Sequence, residues 1–568
     1  MKIKKILIVV IALLVTLSIT KVSASVGYTY SHDNKPIYSS AGFTVTNEGI
    51  FNVNSEAWKG QIAASDFGAP TDLFYYNDNG EEIIYVVDSG SNKLFIFDGN
   101  MNYIETHSKF EIDPSKFTNA ELDEVQTISN SSTVAITNKD GFYDKLVEIR
   151  KIPFELRTEE QRVYVEPFNL SGVYRSLRPL RNDDGTIVEG QYQDVIYLCD
   201  TGNNQVLILD SKTYEIIQVV VESDDATFAE KPFKPTKLAT DSTGRMYIIS
   251  EGFYEGIMLM SYKGDFMRFI GVTYLTLTFW ESLKINLATE TQRSQMQDYL
   301  NANFKNLTID KDGFIYTVSY AATDPETGAV KDDKTMIKRI NQAGNDVLKR
   351  FGYSVPKGDL VTIKTGSSKD IGSSNFEAIA VNEYGSYTVA DSRNGRLFTY
   401  DHEGNLLYIS GGKGTEVSNL ANPVAVRYQG EKLLVLDKNN KTVLRFEPTE
   451  TAQLINNAVK AHSSGDVQTA SGYWKNVISD NPNYELAYVG VGKTLLEEQR
   501  YEEAMYYFEK GYDVEYYSKA YKAYRDQKLK EYLPFVLYAI VIGVAVWGGF
   551  KIYGMVKKGF KSKEEGEF

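Results

Sequence analysis

The chain has 568 residues, 42% of them hydrophobic and 24% charged. That length exceeds one ordinary core, and the composition excludes a largely disordered chain. A net charge of −14 disfavours nucleic acid as a partner. A single cysteine, Cys199, excludes an internal disulfide and a multi-cysteine metal site, and four histidines leave little material for a zinc centre.

The charge is unevenly spread. Residues 1–24 carry +4 and residues 551–568 carry +2, so the body between them carries −20. The first 24 residues read as a signal peptide. Lys2, Lys4 and Lys5 precede an apolar run from Ile6 to Ile19, and Val22-Ser23-Ala24 offers a cleavage site. Removal of 1–24 is expected.

A repeat fills the next 400 or so residues. Four segments align without gaps: Val86–Asp98, Leu198–Asp210, Val389–Asp401 and Val435–Glu447. In each, an apolar strand ends on an Asp (Asp88, Asp200, Asp391, Asp437). A Gly/Asn turn follows, and a second apolar strand ends on an acid ten residues later. This is hairpin chemistry: the carboxylate accepts from turn amides while Gly or Asn takes positive φ. The structural role of these Asp residues is therefore preferred over metal ligation.

Weaker copies pair Thr133–Asn138 with Leu146–Arg150, Met246–Ser250 with Ile257–Ser261, and Phe314–Ser319 with Met336–Asn341. A preceding strand and Gly turn recur at Leu238–Gly244, Leu307–Gly313 and Ile379–Gly385. Units of three or four short antiparallel strands bury both faces only by packing round an axis. The expected fold is thus mainly β, a six- or seven-bladed β-propeller, with Gly42–Val45 closing the ring. Seven units are counted, the one at 123–152 being degenerate. Helix is expected near Glu290–Leu300, and a surface loop over 353–375.

The pattern resembles the NHL-repeat family of propellers. Some propellers of this kind are calcium-dependent lactonases or lyases that use Glu, Asp and Asn at the channel mouth. The resemblance makes Asp72, Lys237, Asn306, Glu377 and Asn422, at the entries of successive first strands, the candidate channel-mouth contacts. Ordinary strand-entry roles are favoured for them, and Lys237 disfavours a cation, so no cofactor is expected; Ca2+ is the one candidate, without support from the residues. Asp310-Lys311-Asp312-Gly313 reads as a hairpin turn rather than a calcium loop. Cys199 reads as a buried, inert thiol. No Ser-His-Asp set is recognisable around His32, His107, His402 or His462.

From Thr451 the periodicity becomes helical. Ala470 and Ala504, Tyr473 and Tyr507, and Trp474 and Phe508 are each 34 residues apart. Residues 451–517 are similar to two tetratricopeptide repeats, with 518–531 leading on as a helix. The resemblance implies protein or peptide binding in a groove, for which Asn457, Tyr488 and Lys493 are the candidates.

Leu533–Phe550 carries no charge over 18 residues, long enough to cross a bilayer. Five lysines follow, from Lys551 to Lys563, which predicts a cytoplasmic tail and an extracytoplasmic body. The expected organisation is a signal peptide at 1–24, propeller at 25–448, helical repeats at 449–531, membrane helix at 532–553 and basic tail at 554–568. The leading functional expectation is a single-pass, membrane-anchored binding or assembly protein, with a membrane-proximal protein partner and a carbohydrate or peptide ligand. The alternatives are a tethered propeller hydrolase or lyase of lactonase type, and an accessory subunit of a carbohydrate transporter or secretion complex.

Overall fold

The computed structural model describes residues 27–130, 147–182, 184–228, 231–271, 303–323, 330–332, 336–359 and 374–564. Within residues 43–448 six blades form, each a sheet running outward from an innermost strand and antiparallel but for one parallel pairing at the outer edge of blade II. The innermost strands, in chain order, are Pro70–Asp78, Leu170–Arg181, Pro235–Thr240, Phe304–Ile309, Phe376–Val381 and Pro423–Gln429. We number the blades I to VI after them.

The ring is closed by the chain's beginning. Phe43–Phe51 pairs with Thr442–Pro448 as the outermost strand of blade VI, through Phe43↔Pro448 and Val45↔Phe446. Gly42 is needed there, because a Cβ would lie 1.8 Å from the Tyr408 ring. The expected closure is therefore present, and the blade count is six.

The seventh unit, at 123–152, does not exist as a blade. Phe110–Ile112, Val163–Val165 and Ile128–Asn130 extend the outer edge of blade II into a seven-stranded sheet. Residues 147–150, expected as strand, are helical, and Thr133–Asn138 lies outside the described residues. The expected helix near Glu290–Leu300 also lies outside them, as does most of the 353–375 loop.

Why these segments are strands follows from their burial. Ile84–Asp88, Val206–Leu209 and Leu433–Asp437 are buried along both faces, because each blade is sandwiched between two others. Such strands read as continuous apolar runs rather than alternating ones. Leu434 and Leu436 of blade VI pack with Leu73 and Val86 of blade I, and Ile196 and Leu198 of blade II with Tyr85 and Val87. Four tyrosines, Tyr85, Tyr197, Tyr247 and Tyr316, stand three residues before the end of a second strand, all buried. Those four rings belong to the core.

The repeated aspartates join two loops. Asp88 accepts from Ala69 N at 2.7 Å, and from Gly90 N and Ser91 N at 2.9 and 2.8 Å. Asp437 accepts from Ala421 N at 2.6 Å and from Asn439 N and Asn440 N at 3.0 and 2.9 Å. Asp391 and Asp200 reach Asn375 N and Phe168 N in the same way. Each carboxylate therefore ties a hairpin turn to the chain entering its own blade. Asp310 accepts from Asp312 N and Phe314 N, with Gly313 at φ +80, so that segment is a hairpin turn.

The second compact unit is helical: α1 (Glu450–Ser463), α2 (Val467–Asp480), α3 (Glu485–Glu497), α4 (Tyr501–Lys510) and α5 (Val514–Glu564). Small residues set its close contacts. A Cβ on Gly490 would lie 2.4 Å from the Trp474 indole, and one on Gly492 2.7 Å from the Phe508 ring. Ala470, Ala487 and Ala504 are fully buried beside them. The last helix begins at Val514 rather than Ser518, and runs unbroken past Pro534. It is long and apolar enough to cross a membrane.

Candidate functional site

Every innermost strand opens with the same irregularity. The pairing slips by one residue between Pro70 and Asp72, Leu170 and Gly172, Pro235 and Lys237, Phe304 and Asn306, Phe376 and Ala378, and Pro423 and Ala425. The extra residues are Thr71, Ser171, Thr236, Lys305, Glu377 and Val424. A bulge re-aims the side chain it carries. Here six bulges aim six side chains at one end of the central channel, where all six line a cavity of about 630 Å³.

One residue further along, a second layer lies in the ring: Asp72, Gly172, Lys237, Asn306, Ala378 and Ala425. Lys237 Nζ lies 3.0 Å from Asp72 Oδ1, and donates to Thr71 O at 2.8 Å and Ser171 O at 3.1 Å. Asp72 Oδ2 accepts from Val173 N at 3.2 Å. The lysine thus spans blade II to reach blade I. Gly172 makes this crossing possible, since a Cβ there would lie 2.5 Å from Thr236 O. Burial, opposed by Asp72, holds the Lys237 amine below its ordinary pKa. Asn306 is fully buried, and neither its Oδ1 nor its Nδ2 has a partner among the described residues.

The rim above the bulges comes mostly from blades III, IV and VI. Lys231 pairs with Glu255 at 2.6 Å. Lys234, Lys305 and Lys438 line the cavity with no ion-pair partner among the described residues. Glu377 Oε2 accepts from Tyr320 OH at 2.5 Å, and Lys305 Nζ stands 4.6 Å over the Tyr320 ring. Burial and Glu377 both push the Tyr320 hydroxyl pKa up, so that group stays protonated and donates.

Of the sequence candidates, Asp72 and Lys237 meet as an ion pair, Asn306 shares their layer, and Glu377 is in the bulge ring above. Asn422 stands apart, just before Pro423, with its amide N bonded to Asp437. Sequence reasoning passed over Thr71, Ser171, Thr236, Lys305, Val424, Lys234 and Lys438. A bulge breaks the count of two on which strand alternation rests, so a residue facing the channel reads as one facing away. The repeated slip after Pro, Leu or Phe at a strand entry was the available signal.

The donors do not suit calcium. Asp72 is taken by Lys237, Glu377 by Tyr320, and lysines surround them. Among the described residues no three His, Cys, Asp or Glu side chains come together around a common point. Cys199 is buried, and that burial, with Asp72 nearby, pushes its thiol pKa up, as an inert thiol requires. In the helical unit, Tyr488 donates to Pro482 O at 3.1 Å, and Lys493 Nζ lies 4.6 Å over the Tyr516 ring. Asn457 is half-buried on α1.

No protein-family model and no curated protein matches the chain. Solved structures of similar fold include a catalytically inactive virginiamycin B lyase from Staphylococcus aureus with quinupristin. It is 9% identical with a TM-score of 0.35, over 72% of this chain and 100% of that one. A Bacteroides thetaiotaomicron protein of unknown function is 12% identical at TM-score 0.33, over 73% and 79%. A PQQ-bound aldose sugar dehydrogenase from Streptomyces coelicolor is 13% identical at 0.27, over 67% and 94%.

Proposed function

We propose that the chain is a membrane-anchored, extracytoplasmic binding and assembly protein, built on an NHL-type propeller and tetratricopeptide-type helices. The observation that carries the anchor is α5. Phe535, Leu537, Ile540, Val541, Val544 and Trp547 are all exposed, on every side of the helix. Water does not tolerate such a surface; a bilayer requires it. Lys551, Lys557 and Lys558 at its far end favour a cytoplasmic tail, which leaves the propeller outside after removal of 1–24.

Within that topology the propeller holds a ligand at its channel mouth. The bulge ring and the lysine rim form a concave polar site of the size that small ligands occupy. The helical repeats dock a protein lying near the membrane, through a groove that includes Asn457, Tyr488 and Lys493. Protease added to intact protoplasts is expected to digest the propeller and spare the tail; a protected propeller overturns the topology. Tyr488→Ala with Lys493→Glu is expected to abolish co-purification of a membrane protein while leaving the circular dichroism unchanged. Retention of every partner would make the helices a spacer.

A further inference from the structure

The cavity at the channel mouth has the opposite charge sense to the rest of the molecule. The whole chain holds 75 acidic side chains against 61 lysines and arginines. The cavity is lined by five lysines, Lys231, Lys234, Lys237, Lys305 and Lys438, and by only two acids, Glu251 and Glu377. Lys231 and Lys237 are committed to Glu255 and Asp72. The other three come from different places in the fold: the entry to blade III, the bulge of blade IV, and the turn after the second strand of blade VI. All three residues line one concavity, and none has an ion-pair partner among the described residues. Like charges brought together in a recess repel one another unless an anion sits between them. An acidic body would otherwise repel such an anion, so this is the lysine-lined recess at which one is attracted.

The remaining lining narrows the ligand. Thr71, Ser171, Thr236 and Ser250 line the recess as well, the first three hydroxyls donating to backbone carbonyls and so left with accepting oxygens, and Tyr254 stands exposed at the rim. Hydroxyl oxygens that can still accept and an exposed aromatic ring beside lysines suit a hydroxyl-rich molecule that also bears oxyanions. We infer that the channel mouth binds an oligosaccharide-sized oxyanion, a short sugar chain carrying carboxylate or phosphate groups, with Lys234, Lys305 and Lys438 as its counter-charges. This rests on the proposed binding role and specifies its ligand class.

The test uses the full chain in detergent micelles and titration calorimetry with three probes: trigalacturonate, maltotriose and inorganic pyrophosphate. The expected result is one site for trigalacturonate, no measurable binding of maltotriose, and a marked loss of affinity between about 20 and about 300 mM salt. Lys305→Gln with Lys438→Gln should raise the trigalacturonate Kd at least tenfold and flatten the salt dependence, with the melting temperature unchanged. Pyrophosphate binding more tightly than trigalacturonate would assign phosphate as the oxyanion; the reverse order would assign carboxylate. Maltotriose binding as well as trigalacturonate, an unaffected double variant, or no binding of either anion overturns the inference. The protoplast experiment is independent of these titrations, so a failed topology and a failed ligand class are read separately.

Discussion

Blades I, II, V and VI are set apart from blades III and IV by the residue that ends the second strand. The former end their second strand on Asp88, Asp200, Asp391 and Asp437; the latter end it on Ser250 and Ser319. In the aspartate blades a carboxylate gathers several backbone amides and draws the hairpin turn against the strand entry. In blade III, Ser250 Oγ accepts one amide, Lys234 N, at 2.9 Å. The cavity lies on the serine side. Ser250 to Tyr254 and Asn303 to Lys305 form much of its wall, and Asp88, Asp200 and Asp391 form none of it. Where the repeat keeps its aspartate, the turn is closed for structure. In blade III, where serine replaces it, the turn from Ser250 to Tyr254 lines the ligand-sized space, while blade VI keeps its aspartate and still contributes Lys438. Breaking a local rule at a site of use is the expected behaviour of a repeat protein.

The comparison is sharpest at Asp437. Asp437→Ala would leave four amides, of Ala421, Asn422, Asn439 and Asn440, without their acceptor. The expected loss is about 3–4 kcal/mol of propeller stability. Ser250→Ala removes one acceptor and should cost about 1 kcal/mol. Thermal unfolding of the two variants in the full chain checks the ratio. Equal losses would mean that the carboxylate is not what separates the two kinds of blade.

A smaller effect tests one aspartate alone. Burial, the largest cause, pushes the Asp200 carboxyl up from 3.8 to about 6. Its folded-state pKa is thus above the unfolded one, so the folded chain binds the proton more tightly. This group therefore weakens the fold as pH rises from about 4 to about 6, by at most about 3 kcal/mol. Asp200→Asn should flatten that part of the profile of unfolding midpoint against pH. A profile that keeps its slope would assign it to other groups.

The repeat itself was legible because it is local. An apolar run, an Asp, a Gly/Asn turn and a second apolar run specify a hairpin without reference to anything distant, and four such units implied a ring. The apolar run at 533–550 was legible for the same reason, since its length and lack of charge suffice. The count of blades was not. Residues 123–152 contain short apolar stretches that read as a seventh unit. Pairing decided otherwise, because Ile112 meets Ile216 across more than a hundred residues.

The site was half legible. Asp72 and Lys237 are polar residues at strand entries, which the sequence displays. That they pair across blade II depends on Gly172 leaving room, a fact of three chains meeting in space. Glu377 was among the strand-entry candidates, but Lys305 escaped because a bulge shifts the strand's alternation by one residue, and a bulge exists only relative to a partner strand. The sequence alone determined the repeat, its turns, the change to helical periodicity and the apolar helix, all set by contacts within a few dozen residues. Tertiary structure alone decided that there are six blades, which side chains the bulges aim into the channel, and that the lysines of three separate blades share one recess. Those are long-range closures, and their energies arise only when the ring is complete.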